Sequence, residues 1–234
     1  MNLLFLHIGD IHIKDISAIN AFQIDKIADA LNTFEWDRMI LFITGDIAFS
    51  GKSQQYRVAK QMVGKLVDSI KKRCHHSQWI DTICVPGNHD VYQKGGLSSK
   101  DLQNIRASST YEEHFCDELE KQKAFYTFAH NYRCFSEVKP VDRRILSYGA
   151  YKVEINLVNS ALFSIIEEDK GLHYIPSKYI SEIDEPTHAD FVITLMHHSP
   201  DWFVDSQKNR IEEIVYGKSS IVMFGHEHYI AKKK

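Results

Sequence analysis

Five short apolar runs constrain the fold of this 234-residue chain more than any other feature. Each has the length of a strand and is apolar at successive positions, as in a strand that is covered on both faces. Segments with helical spacing of apolar residues separate the first three runs. This alternation of strand and helix predicts right-handed crossovers and parallel pairing. The runs are Leu3–Ile8, Met39–Ile43, Thr82–Val85, Phe191–Met196 and Ile221–Phe224.

The middle of the chain has a different character. A polar, mostly helical segment over about 98–138 follows the third run, and a segment of alternating polar and apolar residues comes next. This alternation predicts an antiparallel hairpin whose solvent-facing side carries Lys152, Glu154 and Asn156. We therefore expect one catalytic domain over residues 1–234 with a helical insertion. Because only six residues follow the last polar cluster, we also expect the chain to be the N-terminal module of a longer protein; the alternative is a minimal domain with a basic tail.

Composition excludes some function classes. The formal net charge is -3, so no bulk charge directs the chain to nucleic acid or to an anionic membrane. The first residues lack the basic region and the long apolar stretch of a secretion signal. The four cysteines show no paired spacing, which favours buried or free thiols. We therefore expect a cytoplasmic protein that does not bind a membrane.

Every apolar run is followed by polar side chains that can bind a metal. Ligands bind outside the carboxyl ends of parallel strands, so these clusters should converge on one crevice. Carboxylate, amide and imidazole donors without thiolates suit Mn, Fe, Zn, Co or Ni. Two aspartates, one asparagine and four histidines from these clusters make seven donors, which are too many for one tetrahedral ion and fit two ions that share a carboxylate. The clusters hold Asp10 and His12; Asp46; Asn88, His89 and Asp90; His197 and His198; and His226 and His228.

The order of these motifs resembles one known family. DxH, GD, GNHD, HH and GHxH, spread over residues 10–228, are similar to the motifs of the calcineurin-like metallophosphoesterases. The resemblance implies an α/β fold, a four-layered αββα sandwich with mixed sheets. It also implies a dinuclear metal centre at the strand ends, for which manganese is the favoured metal.

The resemblance also implies a role for each residue of the motifs. His89 would donate a proton to the leaving group, and Asp90 would orient His89. The sequence "MHHSPDW" leaves His198 as the alternative to His197 in the fourth motif. The implied ligands are Asp10, His12, Asp46 and His228 for the first ion, and Asp46, Asn88, His197 and His226 for the second.

The substrate class follows from the second motif. "GDIAFSG" lacks the arginine of the GDxxDRG motif in the Ser/Thr protein phosphatases, so we do not expect a protein phosphatase. The motif is more similar to the phosphodiesterase branch, which implies a small phosphoester or nucleotide substrate. The alternative is a nuclease, which would need a basic track along its nucleic-acid substrate. A non-catalytic scaffold is disfavoured because all the ligands and His89 are present.

Overall fold

The computed structural model describes residues 1–74, 79–92, 98–166 and 170–227. All five apolar runs form strands, as predicted, and an antiparallel hairpin supplies two more. The strands are β1 (Leu3–Ile8), β2 (Arg38–Thr44), β3 (Trp79–Val85), β4 (Val141–Tyr148), β5 (Tyr151–Val158), β6 (Phe191–Leu195) and β7 (Ile221–Met223). The helices are α1 (Ala21–Leu31), α2 (Ser53–Arg73), α3 (Ser99–Ser108), α4 (Tyr111–Glu120), α5 (Lys123–His130), α6 (Ser177–Asp184) and α7 (Asp205–Lys218).

The first sheet has the order β1-β2-β3, and both of its pairings are parallel. Helices α1 and α2 make the crossovers between its strands, and they pack on each other. Asn20 begins α1 because its side-chain oxygen accepts a hydrogen bond from the backbone N–H of Gln23, at 3.2 Å. Parallel pairing places the carboxyl ends of the three strands at the same edge of the sheet.

The second sheet has the order β4-β5-β6-β7. Its first pairing is antiparallel and the other two are parallel, so this sheet is mixed. The two sheets share a hydrophobic core, and α6 packs against both β4 and α7. Two sheets with helices packed on them confirm the predicted α/β sandwich.

One prediction about the hairpin is wrong. Glu154 and Asn156 are only 2% exposed, although the alternating pattern predicts that they face solvent. The reason is that β5 lies inside the sheet, between β4 and β6, and is covered on both faces from Val153 onward. Each of these two side chains has a partner: Oε1 of Glu154 lies 3.3 Å from the Nε of Arg143, and Asn156 donates to the hydroxyl of Thr194 at 3.4 Å.

The cysteines agree with the sequence-based prediction. Cys74, Cys84 and Cys134 are buried, Cys116 is exposed, and all four are free thiols. Within the described residues, no helix combines the length and the apolarity that crossing a membrane requires.

Candidate metal centre

The loop after β1 is tied to the loops after β2 and β7. The backbone N–H of Asp10 donates to the carbonyl of Gly45 at 3.2 Å, and that of His12 donates to the carbonyl of Asp46 at 2.8 Å. The carboxylate of Asp10 accepts a hydrogen bond from the backbone N–H of His226 at 3.1 Å. Polar clusters that lie far apart in the sequence therefore meet at one edge of the two sheets.

Asp46 lies at the centre of this meeting point and is 2% exposed. Its Oδ1 is 3.5 Å from Nε2 of His197, and its Oδ2 is 3.7 Å from Nε2 of His12. The backbone N–H of His89 donates to Oδ1 at 2.9 Å. The two carboxylate oxygens thus face imidazoles from different loops.

Asn88 presents its amide oxygen to the same centre. Its Nδ2 donates to the carbonyls of Ile166 at 3.3 Å and of Ile165 at 3.5 Å, which fixes the direction of the amide. Its Oδ1 then lies 3.2 Å from Nε2 of His197 and 3.3 Å from Nδ1 of His226. The amide oxygen of Asn88 therefore faces two imidazole nitrogens, and its ligand role stays a prediction.

The backbone at the centre adopts an uncommon conformation. The φ angles of Asp10, His12, Asp46 and His226 are 54°, 50°, 51° and 65°, all in the left-handed region. Such a conformation costs on the order of 1–3 kcal/mol for a residue with a side chain. Strain of this kind concentrates at functional sites, where the surrounding structure imposes it. Here the cross-loop hydrogen bonds of Asp10, His12 and His226 impose it.

The fourth motif brings two adjacent histidines into different surroundings. Nδ1 of His197 lies 2.6 Å from the carbonyl of Thr44, which directs Nε2 towards the centre. Nδ1 of His198 lies 3.1 Å from the carbonyl of Ser160, and its ring stacks on that of His173 with centroids 4.1 Å apart. The hydroxyl of Ser160 also accepts hydrogen bonds from the backbone N–H groups of both histidines of the motif.

Asp90 is fully buried and holds the backbone of the site. It accepts hydrogen bonds from the N–H groups of Ala48 at 2.8 Å, Gly87 at 2.9 Å and Ile47 at 3.2 Å. The hydroxyl of Tyr56 donates to it at 2.7 Å. Burial raises the pKa of the Asp90 carboxyl, and these hydrogen bonds oppose that rise. Burial, with the Asp90 charge, also raises the pKa of Tyr56.

This arrangement differs from the predicted pairing of Asp90 with the imidazole of His89. Nδ1 of His89 instead lies 2.9 Å from the carbonyl oxygen of Phe49. Residues Asn88–Asp90 form one turn of 3-10 helix, in which successive side chains point about 120° apart. Asp90 therefore points into the core while His89 points out, and a backbone carbonyl orients the imidazole.

Among the described residues, the donors fall into three groups, and within each group the ligand atoms lie within 4.8 Å of one another. Asp46 belongs to two of them. Oxygen and imidazole donors at such short separations fit borderline divalent ions. His228 lies outside the described residues, so its role stays a prediction. The groups are His12, Asp46 and His89; Asp10, Asp46 and His197; and His197, His198 and His226.

Comparison with known proteins gives one clear result. The family model for calcineurin-like phosphoesterases matches residues 3–229, nearly the whole chain. The chain therefore belongs to the calcineurin-like phosphoesterase family, whose members are metal-dependent hydrolases, and the predicted resemblance is confirmed. No curated protein matches the chain.

Sequence patterns provide little indication of two side chains, Phe49 beside His89 and Lys14 beside Phe49. The ring of Phe49 is 36% exposed, and its centroid lies 5.5 Å from that of His89. The ammonium of Lys14 lies 4.2 Å from the centroid of the Phe49 ring. The only signal was position, since Phe49 comes three residues after Asp46 and Lys14 two residues after His12.

Gly87→Ala tests how closely the loops approach. A Cβ at Gly87 would lie 2.2 Å from Oδ1 of Asp46, so alanine must displace this carboxylate. We expect the free energy of unfolding to fall by about 1–3 kcal/mol, the usual cost of overpacking, and the bound metal to decrease. Chemical denaturation and elemental analysis measure the two effects.

Gly217→Ala in α7 is the matched control, because a Cβ there meets no atom within 4 Å. We expect that variant to be equally or more stable, since glycine in a helix costs roughly 0.5–1 kcal/mol relative to alanine. Full metal content and undiminished stability in Gly87→Ala would contradict the close approach.

Proposed function

We propose that the protein hydrolyses phosphodiesters of the nucleotide type. Water would attack phosphorus, the bond to one ester oxygen would break, and the products would be a phosphomonoester and an alcohol. The observation that carries the proposal is the group formed by His12, Asp46 and His89. It places a titratable imidazole beside a predicted metal ligand, where the departing oxygen needs a proton.

The ligand assignment rests on the position of Asp46 in two of the three donor groups. Divalent ions held here supply polarisation of the phosphoryl group and acidification of water. We favour manganese, which carboxylate, amide and imidazole donors accept. We assign Asp10, His12, Asp46 and His228 to one ion, and Asp46, Asn88, His197 and His226 to the other.

His89 can carry the proton because of the way its ring is held. Its Nδ1 lies 2.9 Å from the carbonyl of Phe49, so Nδ1 bears a hydrogen and donates it. Nε2 is then the nitrogen that takes a second proton and gives it to the departing oxygen. The carbonyl accepts the Nδ1 hydrogen in both charge states of the ring, so the ring keeps its orientation during the transfer.

Phe49 and Lys14 support a nucleotide-type substrate. Because His89 serves the leaving group, side chains beside His89 border the space where that group lies. The Phe49 backbone N–H donates to the carbonyl of Ile13 at 3.1 Å, which fixes the backbone that carries the ring. A fixed aromatic ring next to an ammonium suits a leaving group that carries a planar base.

Phe49→Ala tests this leaving-group pocket. The substrates are a dinucleoside monophosphate and an analogue whose leaving sugar lacks its base. We expect KM to rise about 2–10-fold for the first substrate, the usual worth of an aromatic pair. For the analogue we expect no change. Phe22→Ala on α1 is the control, because its exposed ring lies 4.3 Å from the ammonium of Lys26 and so matches the Phe49 pair.

Two results would reject parts of the proposal. Equal changes for both substrates in Phe49→Ala would remove Phe49 from the leaving-group pocket. Faster hydrolysis of p-nitrophenyl phosphate than of bis-p-nitrophenyl phosphate, under several divalent metals, would reject phosphodiesters as the substrate class.

A further inference from the structure

A continuous groove runs between α2 and the segment that contains α5. It consists of three adjoining cavities of about 510, 510 and 490 Å³. The first and second cavities share Ser53 and Thr127, and the second and third share Lys60 and Asn131. The cavities therefore adjoin one another along the helix pair.

The groove is positively charged although the chain has a net charge of -3. Of the residues that the structure describes, seven lysines and arginines line the three cavities, against three aspartates and glutamates. Two of the cations have neutral partners: Arg57 donates to the amide oxygen of Gln54, and Lys60 donates to that of Asn131 at 2.6 Å. These two cations can bind an added anion without breaking an ion pair.

The cationic positions follow from the helix period. Ser53, Arg57, Lys60 and Gly64 are spaced at i, i+4, i+7 and i+11, so they share one face of α2. On the facing side, Lys123, Thr127 and Asn131 recur at every fourth position. Both walls therefore present a polar stripe to the channel, above a floor that includes Phe128 and Val63.

One end of the groove lies beside two loops that carry residues of the metal centre. Helix α2 begins shortly after the carboxyl end of β2, and Gly51 and Tyr92 line the first cavity. A Cβ at Gly51 would lie 2.7 Å from the backbone nitrogen of Tyr92, so the two loops are in contact. Tyr92 follows Asn88 and His89 in the segment after β3. From there α2 extends for 21 residues, or about 30 Å, away from the centre.

We propose that this groove binds the sugar–phosphate backbone of a single-stranded nucleic acid whose scissile linkage lies at the metal centre. The inference rests on the proposed function and names its substrate as a polymer. A cationic channel that follows the backbone, with an aromatic side chain for a base, is the usual design of a single-strand site. Tyr92, which is 38% exposed at the mouth of the groove, supplies the aromatic side chain.

The test compares two charge-reversed double variants of α2. Arg57→Glu with Lys60→Glu reverses the charge at two positions of the groove. Lys65→Glu with Lys72→Glu makes the same charge change at exposed positions outside it. The probe is a labelled single-stranded oligonucleotide with phosphorothioate linkages, and binding is measured over a series of salt concentrations. Hydrolysis of bis-p-nitrophenyl phosphate is measured in parallel.

We expect the groove variant to bind the oligonucleotide at least tenfold more weakly than the control variant does. Its slope of log affinity against log salt should be smaller by roughly 1.4, since single strands give about 0.7 per phosphate contact. Both variants should hydrolyse bis-p-nitrophenyl phosphate as the wild type does.

Equal weakening in both variants, or no binding by the wild type at low salt, would overturn the groove assignment. Tighter binding of a duplex of the same sequence would overturn the choice of a single strand. Wild-type protein that binds the oligonucleotide but hydrolyses no phosphodiester would reject the proposed function and leave the groove assignment standing.

Discussion

Asp46→Asn is expected to remove both metal ions together. Asp46 belongs to two of the three donor groups, and its oxygens face His197 on one side and His12 on the other. Asparagine keeps the shape of the side chain but loses the charge that attracts the ions. We expect activity to fall by more than about 100-fold. Even the substitution of a residue that only supports a metal ligand lowers metal affinity or activity by about 10–100-fold.

The comparison is with His12→Ala, which should weaken one ion and leave the other. Elemental analysis of the two variants and of the wild type gives the ratios of metal to protein. Asp117→Asn, at an exposed position of α4, controls for the loss of one carboxylate. Full metal content in Asp46→Asn would show that Asp46 does not bridge the two ions.

His89→Ala is expected to slow hydrolysis by an amount that depends on the leaving group. An alkoxide is a strong base and needs a proton, whereas p-nitrophenolate is a weak base and leaves without one. We therefore expect a loss of about 10²–10⁴-fold on a nucleoside ester, the usual worth of general acid catalysis. On a p-nitrophenyl ester the loss should be clearly smaller, with unchanged metal content.

His188→Ala, at an exposed position far along the chain, should behave as the wild type on both esters. If both esters slow equally in His89→Ala while the metal content stays full, His89 is not the proton donor. It would then act by stabilising charge on the phosphoryl oxygens or by positioning the substrate.

The convergence of the predicted ligands could be predicted from the sequence for a physical reason. Parallel strands end at a common edge, so polar residues that follow buried runs must meet there. Asp46, Asn88 and His197 illustrate this, because they come from three loops, and Nε2 of His197 lies 3.5 Å from the carboxylate of Asp46 and 3.2 Å from the amide oxygen of Asn88. The positions of the buried strands could also be predicted, since β-branched and aromatic runs indicate strands covered on both faces.

The direction of the side chains within the loops could not be predicted from the sequence. Asp90 follows His89 in the sequence, yet the tight turn sends it inward to Tyr56 and to the backbone N–H groups of the neighbouring loop. The burial of Glu154 depended on the order of strands in the second sheet, which alternation within one strand does not specify. Phe49 and Lys14 border the site only because of loop geometry that short-range patterns do not encode.

The left-handed backbone at Asp10, His12, Asp46 and His226 has a consequence for protein engineering. Glycine adopts such a conformation without strain. At these four positions a search for heat-resistant variants would therefore favour glycine, which has no side chain to bind a metal. Thermal stability and catalytic activity therefore make opposite demands on these four positions, and selection for one lowers the other. Improvement is better sought on the outer helices, where Gly217 in α7 leaves room for a methyl group.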